Sequence, residues 1–228
     1  MQQIYSESAT NASARPVEVS KVLRNTYALL AMTLFSSSIA AGISMALGLG
    51  YGVGLACSLG SLALIWFVLP KTANSAAGIW VVFGFTTLLG IGLGPTLNHY
   101  AGLPGGSAII MQALGGTAFI FLALSGYVLT TGKNFSFLGG FLFVGLLVVV
   151  LAMVGTVVAG LFGVAISGLS LAISAAVVFL MSGFILYDTS RIIHGGETNY
   201  VMATASLYLN IYNLFVHLLH LIGAFSDD

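Results

Sequence analysis

The sequence predicts an all-α polytopic membrane protein built from seven transmembrane helices. Three observations carry that prediction. Of 228 residues, 58% are hydrophobic and only 5% are charged, where a soluble domain carries about a quarter charged residues. With a mean hydropathy of +1.07, the chain could not keep a globular surface solvated. Seven continuous apolar runs approach or exceed the about 20 residues that a helix needs to cross the hydrocarbon core. All six basic residues fall on one side of those runs: before the first, after the second and fourth, and at the end of the sixth. A β-barrel is disfavoured, because the runs are unbroken rather than ten-residue alternations.

Residues 1–22 read as a polar cytoplasmic N-terminal tail, and 23–228 as one seven-helix transmembrane domain. The tail lacks the basic-then-apolar layout of a signal peptide. The first run, 25–47, is therefore expected to stay as a signal anchor. The second, 51–69, contains Cys57, the single cysteine, which excludes an intrachain disulfide and suits a small buried hydrophobe. Pro70 is expected to close this span. The third and fourth runs, 76–97 and 107–131, flank an outer loop that Pro95 and Pro104 are expected to bracket. The fifth and sixth, 136–160 and 165–192, precede Gly195-Gly196, a helix stop. The seventh run is 203–225.

Arg15, Lys21 and Arg24 precede the first span, Lys71 follows the second, Lys133 follows the fourth, and Arg191 ends the sixth. The intervening connections, 48–51, 98–106 and 161–164, hold no Lys or Arg. The positive-inside rule then places the N-terminus in the cytoplasm and Asp227-Asp228 outside. Two sequons, at Asn11 and Asn134, fall on the cytoplasmic side and are not expected to be glycosylated. Glycine is frequent, at 29 residues. Gly50/Gly54 and Gly90/Gly94 have GxxxG spacing, and Gly115-Gly116 and Gly139-Gly140 are pairs, as close helix packing in lipid requires.

A net charge of zero offers no basic footprint for nucleic acid. No nucleophile–base arrangement, HExxH motif or paired carboxylates stand out, so neither an enzyme nor a bound cofactor is expected. The glycine-rich stretch 90–94 follows no strand and lies within a span, which excludes a nucleotide loop.

Polar residues inside spans are few and therefore informative. Asp188 is the one acidic residue within a run, near the cytoplasmic end of the sixth. It reads either as an interfacial charge paired with Arg191, three residues on, or as a proton-sensitive gate or cation ligand. Ser167, Ser170, Ser174, Met181 and Asp188 share one helical face. That face suits an interior polar seam or interhelical hydrogen bonds. In the seventh span Ser206, Asn210, Asn213, His217 and His220 recur at intervals of four, three, four and three. In lipid such an arc must face protein or water, which makes this helix central. Asn210 enters at the level of Asp188, to which it could donate a hydrogen bond. His217 and His220 lie near the level of His99 at the outer end, as structural histidines more readily than as metal ligands. The polar stretch 194–200 suits a loop capping the Asp188 region.

Several segments resemble the Bax inhibitor 1 family, also called the transmembrane Bax inhibitor motif family. They are Val22-Leu-Arg-Asn-Thr-Tyr27, Lys71-Thr-Ala-Asn74, Gly94-Pro-Thr-Leu-Asn98, Ala113-Leu-Gly-Gly-Thr117, Phe135-Ser-Phe-Leu-Gly-Gly140 and, above all, Tyr187-Asp-Thr-Ser-Arg-Ile-Ile-His-Gly-Gly-Glu-Thr-Asn-Tyr200. The resemblance covers nearly everything after residue 20. It implies a seventh helix enclosed by the other six. It also implies a bacterial inner-membrane branch whose partner is the FtsH protease complex, which it modulates to restrain degradation of other membrane proteins. Calcium-leak members carry one aspartate on the sixth helix and one on the seventh as a pH-sensitive pair, with calcium as the transported ion. Asp188 matches the first. In Leu207-Tyr-Leu-Asn-Ile-Tyr-Asn-Leu-Phe215, Asn210 stands where the second would be, which favours the protease-modulating branch. Asp188, Arg191 and Asn210 are thus the candidate pH- or ion-gating residues.

Overall fold

The computed structural model describes residues 2–162 and 168–226, with side chains described from Glu18 onward. Among the described residues, seven helices are long and apolar enough to cross a membrane, and no strand occurs. They are α1 (Gln2–Ala46), α2 (Tyr51–Thr72), α3 (Ala76–Ala101), α4 (Gly106–Thr131), α5 (Gly139–Leu161), α6 (Leu169–Ile193) and α7 (Tyr200–Ser226). The backbone of the N-terminal tail is helical and runs without a break into the first span. The start of the sixth expected run, with Ser167, and the terminal Asp227-Asp228 lie outside the described residues.

Two prolines behave differently from the expectation that they punctuate helices. Pro95 is buried inside α3, which continues to Ala101. A proline there has no N–H for the carbonyl four residues earlier, Ile91. The Ser44 hydroxyl of α1 donates to Ile91 O at 2.8 Å instead, so the helix persists through the proline. Pro70 likewise lies within α2 rather than at its end. A π-helical turn spans Leu64–Val68 just before it, with the Leu69 N–H reaching back to Leu64 O. The wider turn accommodates the ring, and the helix proceeds to Thr72.

Lipid supplies no hydrophobic drive between helices, so approach distance decides packing. A Cβ on Gly90 would strike the Ser37 carbonyl, and one on Gly94 would strike the Ser44 side chain. The expected GxxxG pair is therefore the α1–α3 contact. Gly54 meets Gly92 O across α2 and α3. Between α5 and α6 the fit is reciprocal: Leu180 enters the notch at Gly145, and Leu142 the notch at Gly183. Gly139 seats the Tyr187 ring, whereas Gly115 faces open space.

The seventh helix is central, as its polar arc required. It packs against α6, α4, α1 and α3. Its side chains enter all three buried apolar clusters, through Leu207 and Tyr208, through Leu214, and through Phe215 and Leu219. The enclosure differs in detail from six equal neighbours. α2 leans on α3 and α5 on α6, so these two spans form the outer rim of the bundle.

Candidate functional site

The sixth helix ends where its glycines permit. Gly195 has φ +72°, a left-handed conformation that lacks the usual Cβ penalty in glycine. The Gly196 and Glu197 N–H groups both return to Arg191 O, at 2.8 and 3.2 Å. This cap turns the chain back and lets α7 begin at Tyr200, bringing Asn210 level with Asp188. The Asn210 side-chain amide donates to Asp188 Oδ2 at 2.7 Å. Both residues are buried, at 7% and 8% exposure. In a low-dielectric bundle a carboxyl without a donor is strongly destabilising, and Asn210 provides a donor that does not titrate.

Arg191 does not pair with Asp188 as its spacing allowed. Its guanidinium donates to Gly196 O at 2.9 Å and lies 3.6 Å from Glu197. It also stands over the Tyr187 ring. The reason is the cap: the turn carries Glu197 and the Gly196 carbonyl back beside the last turn of α6, where a cation also suits the helix dipole. Asp188 is left with Asn210 as its hydrogen-bonding partner among the described residues.

The remaining polar residues do not merge into one seam. Ser174 meets His217 Nδ1 at 3.1 Å, but Ser170 is exposed. Between Ser174 and Asp188 stand Val177, Met181 and Ile185, closed over by Leu214. An apolar block thus interrupts the expected serine-to-carboxylate stripe. On α7, Asn213 donates to Leu209 O of its own helix at 2.8 Å, and Ser206 is half-buried. His220 Nδ1 lies 3.2 Å from the Tyr100 hydroxyl of α3. No group of three or more His, Cys, Asp or Glu able to hold a metal occurs among the described residues.

Around Asp188 the loops converge in a way that spacing did not reveal. The Ser190 hydroxyl accepts the Phe135 N–H at 2.8 Å and lies 3.4 Å from Asn134. His194 joins Ser190 O at 2.8 Å to Gly132 O at 3.1 Å. Asn199 donates to Ala73 O at 3.0 Å and Asn74 Oδ1 at 2.7 Å. The α2–α3, α4–α5 and α6–α7 connections are therefore tied together at the end of the bundle that carries Lys21, Lys71, Lys133 and Arg191. A cavity of about 1150 Å³ opens at that end, lined by Glu18, Lys21, His194 and Glu197.

A second missed cluster lies mid-membrane. The Tyr208 hydroxyl donates to Thr86 O at 3.2 Å and is 2.6 Å from Ser37 Oγ, which joins α7, α3 and α1. The signal was present: Ser37 and Ser44, seven residues apart, place two small hydroxyls on one face of α1.

Comparison with known proteins agrees with this architecture. Residues 19–227 match the family described as inhibitor of apoptosis-promoting Bax1. The chain is 47% identical over its full length, and that of the relative, to the modulator of FtsH protease YccA of Escherichia coli K12. The same identity and coverage hold for the inner membrane protein YccA of E. coli O6:H1. A membrane protein of Vibrio cholerae is 46% identical over 224 residues, 96% of each chain. With seven spanning helices and a family match from the first span to the last, the chain belongs to the Bax inhibitor 1 family.

Proposed function

We propose that this protein is a non-catalytic modulator of the FtsH protease in the bacterial inner membrane, oriented with its N-terminus in the cytoplasm. The observation that carries the reading is full-length similarity, at 47% identity, to a protein named a modulator of FtsH protease. Asn210 supports it, because the Asp188 carboxyl is held by an amide rather than by a second carboxyl. The basic end of the bundle, with its tied loops and the helical segment preceding Glu18, is the surface a cytosolic protease domain would meet.

The test is co-purification with FtsH from membranes, with turnover of FtsH membrane substrates followed in cells with and without this protein. The expected result is co-purification and slower turnover. Finding neither ends the reading.

A second reading is a pH-sensitive cation leak, with calcium as the ion and Asp188 as gate or ligand. The buried Asp188 carboxyl in a membrane helix supports it. The apolar block of Val177, Met181 and Ile185 argues against a continuous path in this conformation. Calcium flux into proteoliposomes across a pH range separates the readings. Robust wild-type flux abolished by Asp188→Asn establishes the leak. Flux absent in wild type but present in Asn210→Asp assigns its loss to that position.

A further inference from the structure

We propose that the membrane-depth cavity between α1 and α4 binds the acyl chain of a phospholipid. The two helices make no extended contact with each other, and the space between them is a cavity of about 520 Å³. Its floor is α7, through Tyr208, Ile211 and Phe215, with Leu93 and Leu97 of α3 at one side. Its mouth is formed by exposed Ser38 and Gly42 of α1 and Leu114, Ala118 and Leu122 of α4.

Depth settles the chemistry of the occupant. The α1 residues of the wall, Leu34 to Met45, lie in the half of that span that leads to the 47–50 turn. The α7 residues, 208 to 215, lie at the middle of theirs. The mouth therefore opens sideways to the hydrocarbon of the leaflet on the side of the 47–50 turn, and its wall runs toward that surface at Met45 and Leu97, close to the ends of α1 and α3. Size settles its form. A helix 10–12 Å across and 5.4 Å per turn fills roughly 500 Å³ in each turn, so the cavity holds about one turn of a partner helix. A spanning partner needs about 20 residues. A spanning helix would leave most of its length outside the cavity, whereas a slender flexible chain is taken up within it.

The wall hydroxyls are consistent with hydrocarbon. Ser38 bonds Leu34 O, Thr117 bonds Ala113 O, and Ser37 bonds Tyr208, so each is satisfied within the protein. Tyr212 is the exception: it lines the cavity, and no hydrogen bond of its hydroxyl occurs among the described residues. That residue distinguishes a simple chain from a ligand that carries an acceptor.

The test uses the full-length protein in bilayer nanodiscs containing phosphatidylethanolamine with a diazirine near the middle of one acyl chain. Irradiation and mass spectrometry then map the adducts. A Cβ on Gly42 meets nothing within 4 Å, so Gly42→Leu fills the mouth without a clash. The proposal expects adducts concentrated on residues 34–45 and 110–122. It expects Gly42→Leu to lower them about tenfold, the loss that follows from displacing roughly two buried methylenes. Gly155→Leu on α5, also in open space, and Tyr212→Phe leave the labelling unchanged. If Gly42→Leu does not fold, Ala118→Leu at the opposite lip takes its place. Even labelling of all lipid-facing helices overturns the proposal, as does a filled variant that labels like wild type. Labelling abolished by Tyr212→Phe also overturns it, in favour of a hydrogen-bonding ligand.

Discussion

The Asn210 amide on α7 donates to the Asp188 carboxylate on α6 at 2.7 Å, with both side chains buried. It is a bond between the central helix and one of the four helices packed against it. Replacing Asn210 with Ala leaves a buried carboxyl without its donor. The expected loss of stability is about 1–3 kcal/mol, read from thermal unfolding in a fixed detergent. Replacing both residues together, Asp188→Asn with Asn210→Ala, is expected to be less severe than the sum of the single changes. Additive losses would refute the pairing.

Ser44 supplies the donor that Pro95 cannot. Ser44→Ala therefore orphans Ile91 O and is expected to destabilise by about 1–2 kcal/mol. In a Pro95→Ala background the backbone N–H returns to Ile91 O, and the same serine change loses most of its effect. A double-mutant cycle on unfolding measures this coupling, with an expected value of about 1 kcal/mol.

The close approach of α1 and α3 makes Gly90 and Gly94 intolerant. Either glycine changed to Ala would meet Ser37 or Ser44, with an expected cost of about 1–3 kcal/mol from displaced backbone. Gly155→Ala, on the open face of α5, is the matched control. It is expected to be neutral or stabilising, since alanine favours the helix.

Ser190 accepts the Phe135 N–H and so fastens the α4–α5 connection to α6. Ser190→Ala is expected to speed amide exchange across residues 132–136 about tenfold, the equivalent of roughly 1.4 kcal/mol of local opening. Exchange in the middle of α7 should not change. Hydrogen-exchange mass spectrometry separates the two regions.

Lys133 donates to the Tyr127 hydroxyl at 2.8 Å, and this bond raises its pKa above the ordinary value of 10.5. A raised lysine contributes fully below its unfolded pKa and loses that contribution only as pH rises through the folded value. Lys133→Met should therefore leave the pH dependence of unfolding unchanged through the neutral range. A difference from wild type is expected only in strongly alkaline buffer, because the lysine is fully exposed and its bond is screened by water.

The candidate site was partly legible in the sequence. Asp188 stood out because an acidic residue inside an apolar run is rare, and Asn210 because a polar arc on one helix must face inward. Of the two readings of Asp188, the pair with Arg191 does not form, for a geometric reason: spacing of three allowed it, but the Gly195-Gly196 cap delivered Glu197 as the nearer anion. The expectations for Pro95 and Pro70 failed for a related reason, while Pro104 lies in the outer loop as expected. A proline breaks a helix only where its missing hydrogen bond goes unreplaced. Neither the hydroxyl of Ser44 nor the π turn before Pro70 is visible in the local pattern.

The sequence by itself determined the class of fold, the number of spans and the shared side of the basic loops. In hydrocarbon each backbone polar group must be satisfied within its own segment, so apolar length alone dictates a spanning helix. Only the tertiary structure decided which faces meet. It joined Tyr208 to Ser37 and Thr86, closed Val177, Met181 and Ile185 between Ser174 and Asp188, and left α1 and α4 apart around a cavity. Those outcomes depend on approach distances of a few ångströms between helices far apart in the chain, set by Gly90, Gly94 and the serines opposite them. Helical periodicity names the faces, and close packing chooses their partners.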